Sequence, residues 1–216
     1  MQEVQSENCM HIKFFLEEPS AEEALRCILP KIFLPDVICF FHAFEGKDDM
    51  LEELPKYLKG HQWIPDNWRI VVLIDEDRKD CHELKVFLEK AAHDAGFVTK
   101  SSTSTDKDFQ IVNRIAIEEL EAWFFGDIEA LRAAYPKIPK NLQFKARFRN
   151  PDAIQGGTSE ALSDLLIQRK YFTGRIHKPT VAQNIAQHME LNRNRSKSFQ
   201  VFVDGLKACV GEELLV

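Results

Sequence analysis

Arg69-Ile70-Val71-Val72-Leu73-Ile74-Asp75-Glu76-Asp77 sets an unbroken apolar run directly before two aspartates that are one residue apart. Ile70 to Ile74 show no alternation of apolar and polar side chains, the pattern of a strand covered on both faces, as in a parallel sheet. In such sheets ligand sites gather at the carboxyl ends of the strands. An extended backbone would point Asp75 and Asp77 to the same side with Cα atoms roughly 6.5 Å apart. Two like charges at that spacing call for a divalent cation, and an all-oxygen donor set suits a hard ion such as Mg²⁺. The alternative is a polar turn that leads into the N-cap of a helix starting near Asp80.

At 216 residues and 44% hydrophobic content the chain has room for one α/β domain of ordinary size with a helical extension. No apolar run approaches the roughly 20 residues of a membrane span. Met1 to Met10 lack both a basic start and an apolar signal core, so a cytoplasmic location is expected. Five cysteines (Cys9, Cys27, Cys39, Cys81, Cys209) are odd in number and contain no C-x-x-C pair, which argues against a disulfide framework and a structural zinc site. Residues 1–108 hold 13 Lys/Arg against 22 Asp/Glu, and residues 109–216 hold 15 against 12, giving −9 and +3. An acidic metal centre beside a basic surface for an anionic polymer would produce that split, as would ordinary solvated faces.

Outward from the central stretch, strands are expected at His11 to Leu16, Val37 to Phe44, Arg69 to Ile74 and Gln110 to Ile117. Helices are expected at Ala21 to Phe33, Asp48 to Leu58 and Cys81 to Ala95. This alternation predicts a mainly parallel sheet flanked by helices. After it, helices are expected at Glu118 to Phe125, Ile128 to Ala134, Ser159 to Gln168, Thr180 to Leu191 and Ser198 to Val210. A long loop carries Pro136, Pro139, Pro151, Gly156 and Gly157.

In a parallel sheet three acidic strand ends would crowd together: Glu17-Glu18 after the first strand, Asp75 and Asp77 after the third, and Glu118 with Glu121 after the fourth, the last two sharing one helical face. Each pair alone is also explained by the preference of acids for first helical turns. From Lys137 to Arg149 five cations (Lys137, Lys140, Lys145, Arg147, Arg149) occur without an acid, with Phe144 and Phe148 between them. Such a segment can neutralise phosphates and stack on unpaired bases, or it can be a solvated loop whose phenylalanines plug the core. Arg193, Arg195 and Lys197 form a similar cluster, and Lys178 or Arg175 is placed to reach a phosphate. The seven histidines show no metal-ligand spacing, and Gly156-Gly157-Thr158 lacks the preceding strand and the lysine of a phosphate loop.

The order strand-Glu, helix, strand, helix, strand-Asp-x-Asp resembles the Toprim domain of topoisomerases, primases and OLD-family nucleases, with Glu17, Asp75 and Asp77 at the matching positions. A closer likeness runs from Phe14 to Phe202. Leu16-Glu17-Glu18-Pro19-Ser20, Val72-Leu73-Ile74-Asp75-Glu76-Asp77-Arg78, Ile117-Glu118-Glu119-Leu120-Glu121-Ala122-Trp123-Phe124, Tyr171-Phe172 and Ser196-Lys197-Ser198-Phe199 resemble the bacterial domain-of-unknown-function family 4276. The resemblance implies a Toprim-like α/β domain over residues 10–125 with a helical extension over 126–216. It implies a nuclease that holds Mg²⁺ or Mn²⁺ on Asp75 and Asp77, with Glu17 as ligand or base and Glu118 or Glu121 completing the shell. Lys145, Arg147, Arg149, Lys178, Arg195 and Lys197 would hold nucleic acid. Some relatives are thought to act beside ATPases in phage defence, so an ATPase partner is implied, with a non-catalytic regulatory module as the alternative. Toprim domains follow their glutamate with glycine, whereas Glu18-Pro19 stands here, so either Glu17 or Glu18 is the residue that enters the site. Hydrolysis is expected rather than covalent transfer, with Tyr171 as the one candidate nucleophile for the latter.

Overall fold

The structure, a computed structural model, describes residues 9–77, 79–103 and 108–216. Met1 to Asn8 and Arg78, which enter the expectations above, lie outside the described residues. Strands β1 (Met10–Leu16), β2 (Val37–Ala43), β3 (Trp68–Asp75) and β4 (Ile111–Ala116) form one sheet in the order β2-β1-β3-β4, every pairing parallel. The fold is thus α/β, with the sheet flanked by helices and closed by a helical C-terminal part, as the alternating pattern predicts.

Each face of the sheet has its own core. Ile12, Phe14 and Leu16 of β1 with Val71 and Leu73 of β3 pack under helix α1 (Pro19–Ile28) and the later helices α4 (Glu121–Gly126), α5 (Ile128–Ala134), α6 (Thr158–Gln168), α7 (Lys178–Ala186) and α8 (Lys197–Lys207). Phe15 with Ile70, Val72 and Ile74 packs under α2 (Lys47–Gly60) and α3 (Cys81–Asp94). Ile70 to Ile74 of β3 are all buried, which is why this stretch shows no alternation. Full burial of such side chains is worth about 1.5–3 kcal/mol each, and the parallel pairing of β3 with β1 and β4 fixes which face each one meets. That register continues the parity of Val71 and Leu73 to Asp75, which therefore meets the face of α1 and α4, while Glu17 follows Phe15 toward α2.

Several element ends differ from expectation for identifiable reasons. Helix α1 stops at Ile28 because Pro30 follows, and the chain continues as a 3₁₀ turn over Leu29–Lys31. Helix α7 stops at Ala186, where the Lys31 ammonium donates to the carbonyls of Ala186, Gln187 and Met189. Helix α8 ends at Lys207 rather than Val210. Helix α4 begins only at Glu121, because Glu118 adopts a left-handed φ of 62°. Glu118 and Glu121 therefore do not share a helical face. No helix among the described residues is long and apolar enough to cross a membrane.

Candidate carboxylate centre

The chain leaves β1 toward α1 on one face and leaves β3 toward α3 on the other, so the carboxyl ends of these adjacent central strands form the topological switch point. Glu17 is the first residue past β1, and its Oε2 accepts the Asp75 N–H at 3.0 Å. The Asp75 carboxyl, almost fully buried, accepts a backbone N–H from Leu120 and faces Glu17, Glu121 and Glu18. Glu121 is the first residue of α4 and is 4% exposed; its Oε2 has no hydrogen-bond partner. Glu18 turns toward the same side, where Ser20 Oγ donates to its Oε1.

Two lysines stand among these acids. Lys47, at the start of α2, places Nζ 2.5 Å from Asp77 Oδ2 and 4.0 Å from Glu17 Oε2. Lys178, at the start of α7, places Nζ 3.8 Å from Glu18 Oε1 and 3.9 Å from Glu121 Oε1. Even so, burial dominates the protonation of the carboxyls. It drives Asp75 well above the usual carboxylate range, with Glu17, Glu121 and Glu18 adding repulsion. Burial likewise raises Glu17 to about 7 against the pull of Lys47 and the Asp75 N–H, and raises Glu121 to about 7 against the pull of Lys178. For Lys178, burial is outweighed by Glu121, Glu18, Glu119 and Asp75, and its pKa is raised.

The expectation that Asp75 and Asp77 project to one side is corrected. Strand β3 ends at Asp75, and Asp77 has a left-handed φ of 52°, so its carboxylate turns to Lys47. Left-handed backbone at a non-glycine residue is costly, and here two such residues are tied together: Asp77 N–H donates to the Glu118 carbonyl at 2.7 Å, and Glu118 N–H donates to Glu76 Oε2 at 3.1 Å. The alternative role, capping, falls to Asp80 alone, whose Oδ1 accepts from His82 N–H at 2.7 Å and from Glu83 N–H at 3.4 Å. Asp75 and Asp77 are not needed for that helix.

Other candidates divide. Glu118 sits beside Glu76, Glu119 and Asp152 rather than Asp75, and lines a cleft of about 490 Å³ with Lys47, Asp77 and Lys79. Arg147 lies at the same rim, 4.0 Å from where a Cβ on Gly156 would stand, and its Nη2 donates to the Gln155 carbonyl. Lys145, Arg149 and Lys197 are exposed, Lys145 next to a Phe144 that is 71% exposed; Phe148 is buried and stacks on Phe125. Arg195 is a structural tie whose guanidinium donates to the carbonyls of Arg149 and Phe125. Arg193 pairs in two-pronged fashion with buried Asp127. The Tyr171 hydroxyl accepts the Lys137 N–H, which commits it to the loop.

The residues the sequence did not single out are Lys47 and Glu119. Glu119 Oε2 accepts from Thr158 Oγ1 at 3.0 Å and from Ser159 N–H at 2.7 Å, anchoring the start of α6. Lys47 was findable in principle, since Glu45-Gly46-Lys47 follows a parallel strand and must lie on the edge where the acids gather. A search for acids alone passes over it.

Among the described residues no group of three or more His, Cys, Asp and Glu side chains is arranged to hold a metal ion. The donor chemistry nonetheless suits a hard divalent cation: the acids offer only oxygen, they are desolvated, and one buried oxygen of Glu121 lacks a partner.

Fold and site together define a parallel α/β protein with a buried, lysine-flanked carboxylate centre at its switch point. The family model for a domain of unknown function (DUF4276) matches residues 16–207, and the chain belongs to that family. No curated protein and no solved structure matches the chain significantly. The family stretch Ser196-Lys197-Ser198-Phe199 has a physical role at the site: Asp152 accepts from Ser196 Oγ at 2.6 Å and from the backbone N–H of Lys197, while Ser198 Oγ accepts the Trp123 indole N–H at 3.0 Å. That network pins α4, and with it Glu121.

Proposed function

We propose that the chain is a metal-dependent phosphodiester hydrolase of the cytoplasm with Toprim-like chemistry, acting on nucleic acid. The observation that carries this is buried Asp75 standing between Glu17 and Glu121, which come from chain segments remote in sequence, with one buried carboxylate oxygen of Glu121 unpartnered. A protein gains no stability from such an arrangement, because desolvated like charges oppose folding.

A bound Mg²⁺ or Mn²⁺ would neutralise these carboxylates, acidify a coordinated water and polarise the phosphoryl group. Asp75, Glu17 and Glu121 are the residues that would hold it. Glu17, the least buried of the three, is also suited to take a proton from the attacking water. Lys47 pairs with Asp77 and lowers the proton affinity of Glu17 by its charge. Burial of Asp75 and Glu121 excludes bulk water from their side of the centre.

Calorimetric titration of Mn²⁺ tests the proposal. Wild type is expected to bind, and Asp75→Asn to lose both binding and cleavage of a single-stranded oligonucleotide. Absence of heat up to millimolar metal would overturn it in favour of a non-catalytic module that partners an ATPase. The two lysines favour that second function, since Lys47 and Lys178 already supply positive charge to the acids.

A further inference from the structure

A cleft of about 760 Å³ opens beside the carboxylate centre, between Glu18–Ser20 at the start of α1, Ser163 and Ile167 of α6, and residues 174–179 leading into α7. It is larger than the cleft at Lys47 and Asp77. Two helix starts converge on it, and no side chain caps the first turn of α1. Arg175 lines it without a hydrogen bond or ion pair among the described residues. Lys178 lines it too, and its separations of 3.8 and 3.9 Å from Glu18 and Glu121 are too long for hydrogen bonds, so those contacts leave its donors available.

A second observation lies in a void that shares walls with the cleft. Glu121, 4% exposed and with Oε2 unpartnered, borders a small void of about 10 Å³ whose other walls include Ser163, Ile176 and Lys178, three residues that also wall the cleft. A ligand that completes this arrangement must present negative charge to Arg175 and Lys178 and, deeper, a donor or a cation to Glu121. An internal phosphodiester has one negative charge. A phosphomonoester has a charge of about −1.5 to −2 at neutral pH, which matches the two cations better, and the cation for Glu121 is then the metal ion of the function above.

We propose that this cleft seats the terminal phosphate of a polynucleotide, with Arg175 and Lys178 as its cationic contacts. The assignment rests on the hydrolase function above, under which a metal ion on the acids frees the Lys178 charge, and it specifies that the substrate is engaged at an end.

The test is fluorescence anisotropy of the full chain with one single-stranded oligonucleotide in three forms (5′-phosphorylated, 3′-phosphorylated and unphosphorylated), with Ca²⁺ as a hard ion. One phosphorylated form is expected to bind about tenfold more tightly than the unphosphorylated one, the effect of one charge-assisted hydrogen bond. Arg175→Ala and Lys178→Ala should each erode that preference, Arg175→Lys should retain part of it, and inorganic phosphate should compete. Arg175 is exposed, so its replacement leaves the fold intact. Equal affinity for all three forms, or a preference that survives in the double variant, would overturn the assignment. Mn²⁺ calorimetry on the same preparation separates the two failures: metal binding without end preference defeats only the terminal-phosphate site, whereas absence of both defeats the hydrolase as well.

Discussion

Replacing Glu121 by glutamine should stabilise the metal-free protein, and the gain should depend on pH in a defined direction. The Glu121 carboxyl ionises near 4.5 when unfolded and at about 7 in the folded chain, where burial opposes its charge. A raised carboxyl pKa favours the folded state fully at pH below the unfolded value, and that advantage is lost as pH rises through the folded one. The difference between 4.5 and about 7 corresponds to about 3 kcal/mol, at about 1.36 kcal/mol for each tenfold change in proton affinity. At 4% exposure little solvent screening reduces it. Glutamine keeps the shape and cannot ionise, so Glu121→Gln should match wild type below about pH 4 and exceed it by up to roughly 3 kcal/mol near about pH 8. Urea unfolding in EDTA across that range measures the difference. Mn²⁺ should then reverse the order by stabilising wild type more than the variant. A stability difference that stays flat from acid to alkaline pH would refute the claim that a buried charge is carried at Glu121.

Lys47→Met should raise the apparent pKa of Glu17 further, because the ammonium is the main charge opposing its protonation, and should cost about 1–2 kcal/mol near neutral pH, less than a fully buried pair because Asp77 is partly exposed; NMR titration of Glu17 checks the direction. Gly126→Ala should destabilise by about 1–3 kcal/mol in urea, since a Cβ there would stand 2.0 Å from Asn194 Oδ1, and Asn194 is fixed by its bonds to the Trp123 carbonyl and Ser196 N–H.

Much of the sheet was legible because parallel strands here carry their signature locally. Ile70 to Ile74 are apolar without alternation because both faces are covered, and the same holds in part for Phe14-Phe15-Leu16. The order β2-β1-β3-β4 was not written in any segment, since pairing depends on which crossovers pass over which face. At the centre, the acids were visible as types but not as directions. Asp77 and Glu118 were read as extended and helical, whereas both are left-handed, held so by hydrogen bonds between residues about forty positions apart that no local propensity encodes. Two of the basic residues show the same dependence on partners remote in sequence. Arg195 and Arg193 carry charge, but their guanidinium groups are engaged by carbonyls and by Asp127, a use that looks identical in sequence to a free cation.

The two lysines bear on how such a centre survives folding without a ligand. Glu17 faces α2 and Asp75 faces α1 and α4, because successive residues of strands alternate faces and the strands end in register. Each face therefore exposes the centre to a different helix start, and each of those starts carries a lysine, Lys47 on α2 and Lys178 on α7. Neither ammonium fills the centre: Lys47 lies 4.0 Å from Glu17, Lys178 lies 3.9 Å from Glu121, and the partnerless oxygen of Glu121 remains. The lysines moderate repulsion from the flanks while the carboxyls between them hold protons near neutral pH, a state that a divalent ion can replace by displacing those protons. Cation binding should accordingly release protons and strengthen as pH rises through about 7, the opposite of what a purely structural lysine-acid network would show.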